Sequence, residues 1–125
     1  SFETIKDKNA KWKIFSVFKT NTLASQGKIF YYVVSDFADN NSFLDYVSQI
    51  RKRSLFDIPV DVNENDKLIT LSTCSYEFQD FRTVVVARRV REGEDEAVDT
   101  SLAAVAKNPL MPQCWYKKHG GSPPA

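Results

Sequence analysis

The sequence predicts a mainly β domain with one principal α-helix in a long connection between strands and an appendage at the C-terminal end. Three observations carry this expectation. Stretches around positions 11–19, 67–74 and 82–90 are rich in aromatic and β-branched residues, the hydrophobic period switches once to a helical one near residue 42, and the composition turns Gly- and Pro-rich toward the end. A chain of 125 residues is one domain's worth, and 42% hydrophobic with 13% aromatic content supplies a packed core and excludes a disordered chain as the main reading.

The first strand is expected over residues 11–19. Trp12, Ile14, Ser16 and Phe18 alternate with Phe15 and Val17, so its middle is buried on both sides and lysines frame it. Residues 20–28 are polar and contain Asn21 and Gly27, which makes them a loop, and residues 29–34 read as a second strand. A helix follows over residues 42–54. Ser42 with Asp45 three residues on resembles a capping box, and Phe43, Leu44, Val47 and Ile50 make an apolar stripe for a sheet, with Asp45, Gln49, Lys52 and Arg53 left to water. The Arg51-Lys52-Arg53 triplet complements the helix macrodipole and needs no partner.

Pro59 demotes residues 59–62 to a short edge segment, and Asn63-Glu64-Asn65-Asp66 is a turn cluster. In the strand over 67–74, Leu68, Thr70, Ser72 and Cys74 share one face, and Ile69, Leu71 and Thr73 share the other. Residues 82–90 give the strongest strand signal in the chain. A connection as short as 75–81 joins antiparallel neighbours, which makes Cys74 and Arg82 expected neighbours at one edge of the sheet. Beyond Arg91 the acidic run 92–96 gives way to an Ala-rich piece, 99–107, expected as a short helix, and then to a Pro- and Gly-rich end. Residues 92–125 form an extension that packs on the domain or frays, and Arg88, Arg89 and Arg91 are read as a solvated edge, one of whose arginines is expected to pair with the acidic run 92–96.

Seventeen basic against sixteen acidic residues leave a formal charge of +1, so no global field draws the chain to nucleic acid or an anionic membrane. The sequence as it stands offers neither a spanning segment nor a leader. Two cysteines, Cys74 and Cys114, and the single His119 give neither a disulfide framework nor a metal centre, and no cofactor is expected. A free cysteine is most often a small buried hydrophobe. Three features set Cys74 apart: it ends a strand, hydroxyl residues Ser72, Thr73 and Ser75 flank it, and an arginine is expected across the hairpin. A guanidinium there favours a thiolate or donates hydrogen bonds to an oxyanion as it forms.

Thr70-Leu71-Ser72-Thr73-Cys74, followed after a short loop by Arg82-Thr83-Val84-Val85-Val86-Ala87-Arg88, resembles the nucleophile strand and arginine strand of the sortases. The helix-bearing insertion over 41–62 is similar to the one that marks class B sortases, and residues 11–19 resemble the strand that follows that family's histidine. The resemblance covers about residues 11–91 and implies a sortase-type β-barrel, with residues 1–91 expected as the C-terminal part of the catalytic domain. It implies a cysteine transpeptidase at the extracytoplasmic face of a Gram-positive membrane. Such an enzyme cuts a C-terminal sorting signal of a secreted protein, holds the acyl part as a thioester and passes it to a cell-wall or pilin amine. Cys74 would be the nucleophile and Arg82 the group that orients substrate or stabilises the oxyanion, with Ser72 and Thr73 as substrate-binding residues.

The family's general-acid histidine lies upstream of the matched region, and His119 falls in the tail after both functional strands. The expectation is therefore a portion of a class B sortase, inactive by itself. Its open strand edges and apolar lining would be completed by the missing N-terminal portion or by a second copy. Two other readings share these residues. One is a cysteine hydrolase of the same fold, in which water resolves the thioester. The other is a non-catalytic binding or scaffold domain with an ordinary thiol. If Cys74 is a nucleophile, Cys114 should not be disulfide-bonded to it.

Overall fold

The computed structural model describes residues 11–32, 37, 39–95 and 103–124. Its elements are β1 (Trp12–Thr20), a 3-10 turn (Ala24–Gln26), α1 (Asn40–Arg53), β2 (Phe56–Asp57), β3 (Leu68–Ser75), β4 (Phe81–Arg89), β5 (Ala104–Val105) and α2 (Gln113–His119). The described strands form an antiparallel sheet in the order β1-β4-β3 and a two-stranded ribbon, β2-β5. The architecture is mainly β with two helices. Among the described residues the sheet is open and not closed into a barrel.

One face of the sheet is the core. Phe18, Val84, Val86 and Leu68 come from all three strands and are buried on it, and α1 lays Phe43, Tyr46, Val47 and Ile50 over them. These four positions follow the 3-4 spacing of one helical face. Strict alternation fails in β1. The register shifts between Ile14 and Ser16, so Phe15 is an extra residue and both Phe15 and Ser16 are buried, while Ile14 is exposed. A bulge of this kind re-aims the residues on either side of it, which is why the alternation read across residues 12–18 places Ile14 wrongly. Ser16 Oγ donates to the Ile50 carbonyl at 3.0 Å and locks the bulge to α1.

The remaining edge of β1 is not bare. Val17 N donates to Ser54 Oγ and its carbonyl accepts from Leu55 N, so the chain leaving α1 satisfies the backbone groups that an open edge would expose.

Several elements differ from the sequence reading. α1 starts two residues earlier than expected, because Asp39 and not Ser42 is the cap: its carboxylate accepts from Ser42 N at 2.8 Å. Residues 29–32 are not strand, and 33 and 34 lie outside the described residues. The aromatics that suggested a ladder instead turn their edges onto Phe18, with ring centroids at 5.9 Å for Phe30 and 6.0 Å for Tyr32.

Arg51 and Arg53 are also not merely solvated. The Arg51 guanidinium lies over Phe15 and donates to the Ile58 and Val60 carbonyls, and Arg53 lies 3.8 Å from the Phe30 ring centroid. Residues 59–62 form no strand, since their carbonyls serve guanidinium groups instead. Of the Ala-rich piece, 99–102 lie outside the described residues, and Ala104–Val105 pair with Asp57 and Phe56 as strand, not helix.

The extension is held to α1. Leu110 N donates to the Lys52 carbonyl, one of the carbonyls a helix C-terminus leaves without a partner. α2 then begins against Gly27. That glycine has φ of +136°, and a Cβ on it would come within 3.0 Å of Gln113, so only glycine permits the approach.

Candidate active site

The β3-β4 pairing places the thiol and the guanidinium together. The register runs from Leu68 opposite Arg88 to Cys74 opposite Arg82, without a shift. Directly opposed residues of an antiparallel pair project to the same face with Cβ atoms about 5 Å apart. Ser72, opposite Val84, lies on that face too. The row therefore starts in the core at Leu68 and emerges at an exposed Cys74 and a half-buried Arg82. Cys74 and Cys114 are both free. Burial pushes the Cys114 thiol up, which disfavours its thiolate.

Arg82 has no carboxylate partner among the described residues. Its Nη1 donates to the neighbouring Phe81 carbonyl at 3.2 Å, which leaves most of its five N–H donors for another acceptor.

Tyr32, which the sequence reading assigned no role, joins Ser72 to the helix. Its hydroxyl lies 3.0 Å from Ser72 Oγ, and its carbonyl accepts from the Tyr46 hydroxyl on α1. Burial pushes the Tyr46 phenol up to about 12, so it stays a neutral donor. Forty residues separate Tyr32 from Ser72, and no local pattern could have announced the contact.

The connection after Cys74 is pinned at several points. Thr22 Oγ1 donates to the Asp80 carbonyl at 2.7 Å and Gln26 Nε2 to the Gln79 carbonyl at 3.0 Å. Glu77 pairs with Lys19 and accepts from Ser75 Oγ. Phe78 packs on Phe81 and on Trp115 of α2. Asp80 takes φ of 57°, the left-handed conformation that closes this turn and that aspartate tolerates better than most residues.

One of the candidate positions does not share the Cys74 face. Thr73 stands on the opposite face of β3, opposite Thr83, and its hydroxyl donates to the Thr83 carbonyl at 3.4 Å. This follows from the two-residue period and removes Thr73 from the face that Cys74 occupies. His119 stacks on Trp115 with centroids 4.2 Å apart at the end of α2.

The other end of the ribbon corrects the reading of 88–91 as a solvated edge. Arg88 is 1% exposed and makes a two-pronged pair with Glu94 at 2.7 Å on each oxygen, and its Nε donates to the Asp61 carbonyl. Arg91 pairs with Asp66 and Asp61 at 2.8 Å. The Arg88 hydrogen bonds hold the Glu94 carboxyl well below the ordinary range. Burial works against the charge on Asp66, but the Arg91 and Asn63 N–H groups outweigh it and hold that carboxyl down as well.

A thiol and a guanidinium with free donors thus meet at the exposed end of an antiparallel pair, beside a helix-bearing insertion. Comparison with known proteins relates the chain to the class B sortases. It is 35% identical over 69 residues to sortase B of Listeria monocytogenes, a match covering 55% of this chain and 26% of that protein. It is 28% identical over 81 residues to sortase B of Staphylococcus aureus, covering 63% and 31% respectively. Among solved structures, Clostridium perfringens sortase B aligns with a TM-score of 0.56 at 32% identity, covering 66% of this chain and 43% of that one. A Staphylococcus aureus sortase B–substrate complex aligns with a TM-score of 0.53 at 28% identity, covering 64% and 35%. No protein-family model matches the chain. The matches span about a quarter to a third of the curated relatives' length. Among the described residues, no helix is long and apolar enough to cross a membrane.

Proposed function

We propose that the chain carries the nucleophile and the oxyanion-stabilising arginine of a class B sortase-like cysteine transpeptidase. The observation that carries this reading is the Cys74–Arg82 pairing at the exposed end of the core face. Cys74 Sγ attacks the carbonyl carbon of a sorting-signal peptide. The Arg82 N–H groups receive the negative charge that develops on the carbonyl oxygen, an interaction stronger in the transition state than in the ground state. The C–N bond then breaks, the departing amine takes a proton from a general acid, and the acyl group remains on sulfur as a thioester. A cell-wall or pilin amine attacks that thioester and gives up a proton to the conjugate base left by the general acid, the C–S bond breaks, and the thiolate is regenerated. Ser72, held by Tyr32, contacts the peptide two residues before the nucleophile.

In this reading the general acid comes from the N-terminal portion of a complete sortase domain. That portion also covers the half-buried outer face of the sheet, and the enzyme works at the extracytoplasmic face of a Gram-positive membrane. The chain alone is then inactive. The test supplies the chain with the N-terminal portion of a class B sortase and a labelled sorting peptide, with and without an oligoglycine or diaminopimelate-type amine. The expected result is labelled acyl-amine product that requires both the amine and Cys74. Product that persists in Cys74→Ala contradicts the assignment. Peptide cleavage at a rate indifferent to the amine replaces transfer by hydrolysis.

A further inference from the structure

A second feature lies across β4 from the thiol, where Thr20 of β1 stands opposite Arg82, and is not used by the chemistry above. The last turn of α1, the end of β1 and the extension enclose a cavity of about 280 Å³. Lys19, Lys28 and Arg53 contribute to its wall, and none of its lining residues is acidic. Lys19 is committed to Glu77. Lys28 makes no ion pair among the described residues. Arg53 is held in place: its guanidinium carbon lies over Phe30, 3.8 Å from the ring centroid, and Nη1 donates to the Gln49 carbonyl at 3.1 Å and Gln49 Oε1 at 2.9 Å. Its other N–H groups make no hydrogen bond among the described residues. Burial lowers the affinity of Arg53 for its proton, the mark of a cation that has lost water without gaining a counter-ion.

Phe30 and Gln49 fix the plane of the guanidinium fork, so little side-chain entropy remains to be lost on binding. Gln113 and Tyr116 from the extension, with Thr20 from β1, add polar groups to the same wall. We propose that this cavity is an anion-binding site, in which Arg53 and Lys28 hold a carboxylate or phosphate group of a small molecule. Its volume suits a ligand of amino-acid or phosphate-ester size and excludes a folded partner. The inference stands independently of the acyl-transfer reading, because it uses neither Cys74 nor Arg82.

The test is titration of the 125-residue chain, followed by amide chemical shifts or by thermal unfolding at constant ionic strength. The probes are inorganic phosphate, acetate, glycerol phosphate and N-acetyl-alanine, with chloride as reference. The expected result is saturable binding of at least one probe, weakened at least tenfold in Lys28→Gln and in Arg53→Gln and unchanged in Lys52→Gln, which removes a cation from the same helix turn. Tighter binding of glycerol phosphate assigns the group as phosphate, and tighter binding of N-acetyl-alanine assigns it as carboxylate. Lys28 is exposed, so its variant tests the site even if Arg53→Gln fails to fold. Responses no larger than with chloride, or equal in Lys28→Gln and the parent protein, overturn the proposal.

Discussion

The two ends of the β3-β4 ribbon each present an arginine on the core face, and the two differ in every respect that matters. Arg88 stands opposite Leu68, is sealed from water, and is satisfied by Glu94 and the Asp61 carbonyl. Arg82 stands opposite Cys74, is half-exposed, and spends one nitrogen on a neighbouring carbonyl. The same side chain on the same strand closes the fold at one end and offers donors at the other. Partners, and not residue type, separate a cation that closes the fold from one left with free donors.

The largest expected effect that can break this contrast is on stability at the closed end. Arg88→Ala strips Glu94 of its two-pronged partner and leaves space under Leu68. Arg88 is sealed from water while the Glu94 side chain is 21% exposed, so the loss is that of the charge-assisted hydrogen bonds, about 1.5–3 kcal/mol, readable as a shift in the urea midpoint. Arg82→Ala should leave that midpoint within about 0.5 kcal/mol, as for other changes away from the core. In the completed enzyme, loss of this oxyanion donor should slow acyl transfer by about 100-fold or more, measured as kcat/KM. A reversal, with Arg82→Ala unfolding the chain and Arg88→Ala leaving it intact, would dissolve the distinction.

Smaller effects sharpen it. Tyr32→Phe removes the hydroxyl that holds Ser72 and should cost about 1 kcal/mol in stability while raising KM for the peptide more than it lowers kcat. Acid should act on the closed end and, at the other side of the core, on the Asp39 cap of α1, whose hydrogen bond from Ser42 also holds its carboxyl down. The Glu94, Asp61 and Asp66 carboxyls titrate lower in the folded chain than in the unfolded one. Their contribution is therefore complete above about pH 4 and lost as pH falls through their folded values. Glu94→Gln should flatten that acid limb, and Arg82→Gln should leave it unchanged. At the alkaline end the sign reverses: Tyr46 ionises at about 12 in the fold against 10.0 ordinarily, so its contribution is intact below pH 10 and fades as pH rises toward 12. Tyr46→Phe should remove that fading in a pH series of unfolding midpoints.

The β3-β4 hairpin was legible in the sequence because both strands keep a two-residue period and a connection of a few residues fixes which ends meet. That alone put Cys74 beside Arg82. The helix was legible from its apolar spacing, but its cap was not, because Asp39 and Ser42 are both competent caps and only packing chooses between them. Residues 29–32 misled because aromatic content marks a strand only when backbone groups find a ladder, and here Phe30 and Tyr32 pack by their rings. The burial of Arg88 was illegible for a different reason. It depends on Asp61, Asp66 and Glu94 arriving from other segments, and an arginine reads as solvent-facing until such partners are in place. The Tyr32 to Ser72 contact and the basic cavity have the same origin in long-range assembly.

The most direct measurement of the central claim is intact and peptide mass spectrometry of the completed enzyme quenched in acid after mixing with a sorting peptide. The account predicts a covalent acyl adduct on the peptide bearing Cys74, labile to hydroxylamine and discharged by the acceptor amine, with far less of it in Arg82→Ala. An adduct on Cys114, or amine-dependent product formed with no adduct on Cys74, would contradict it.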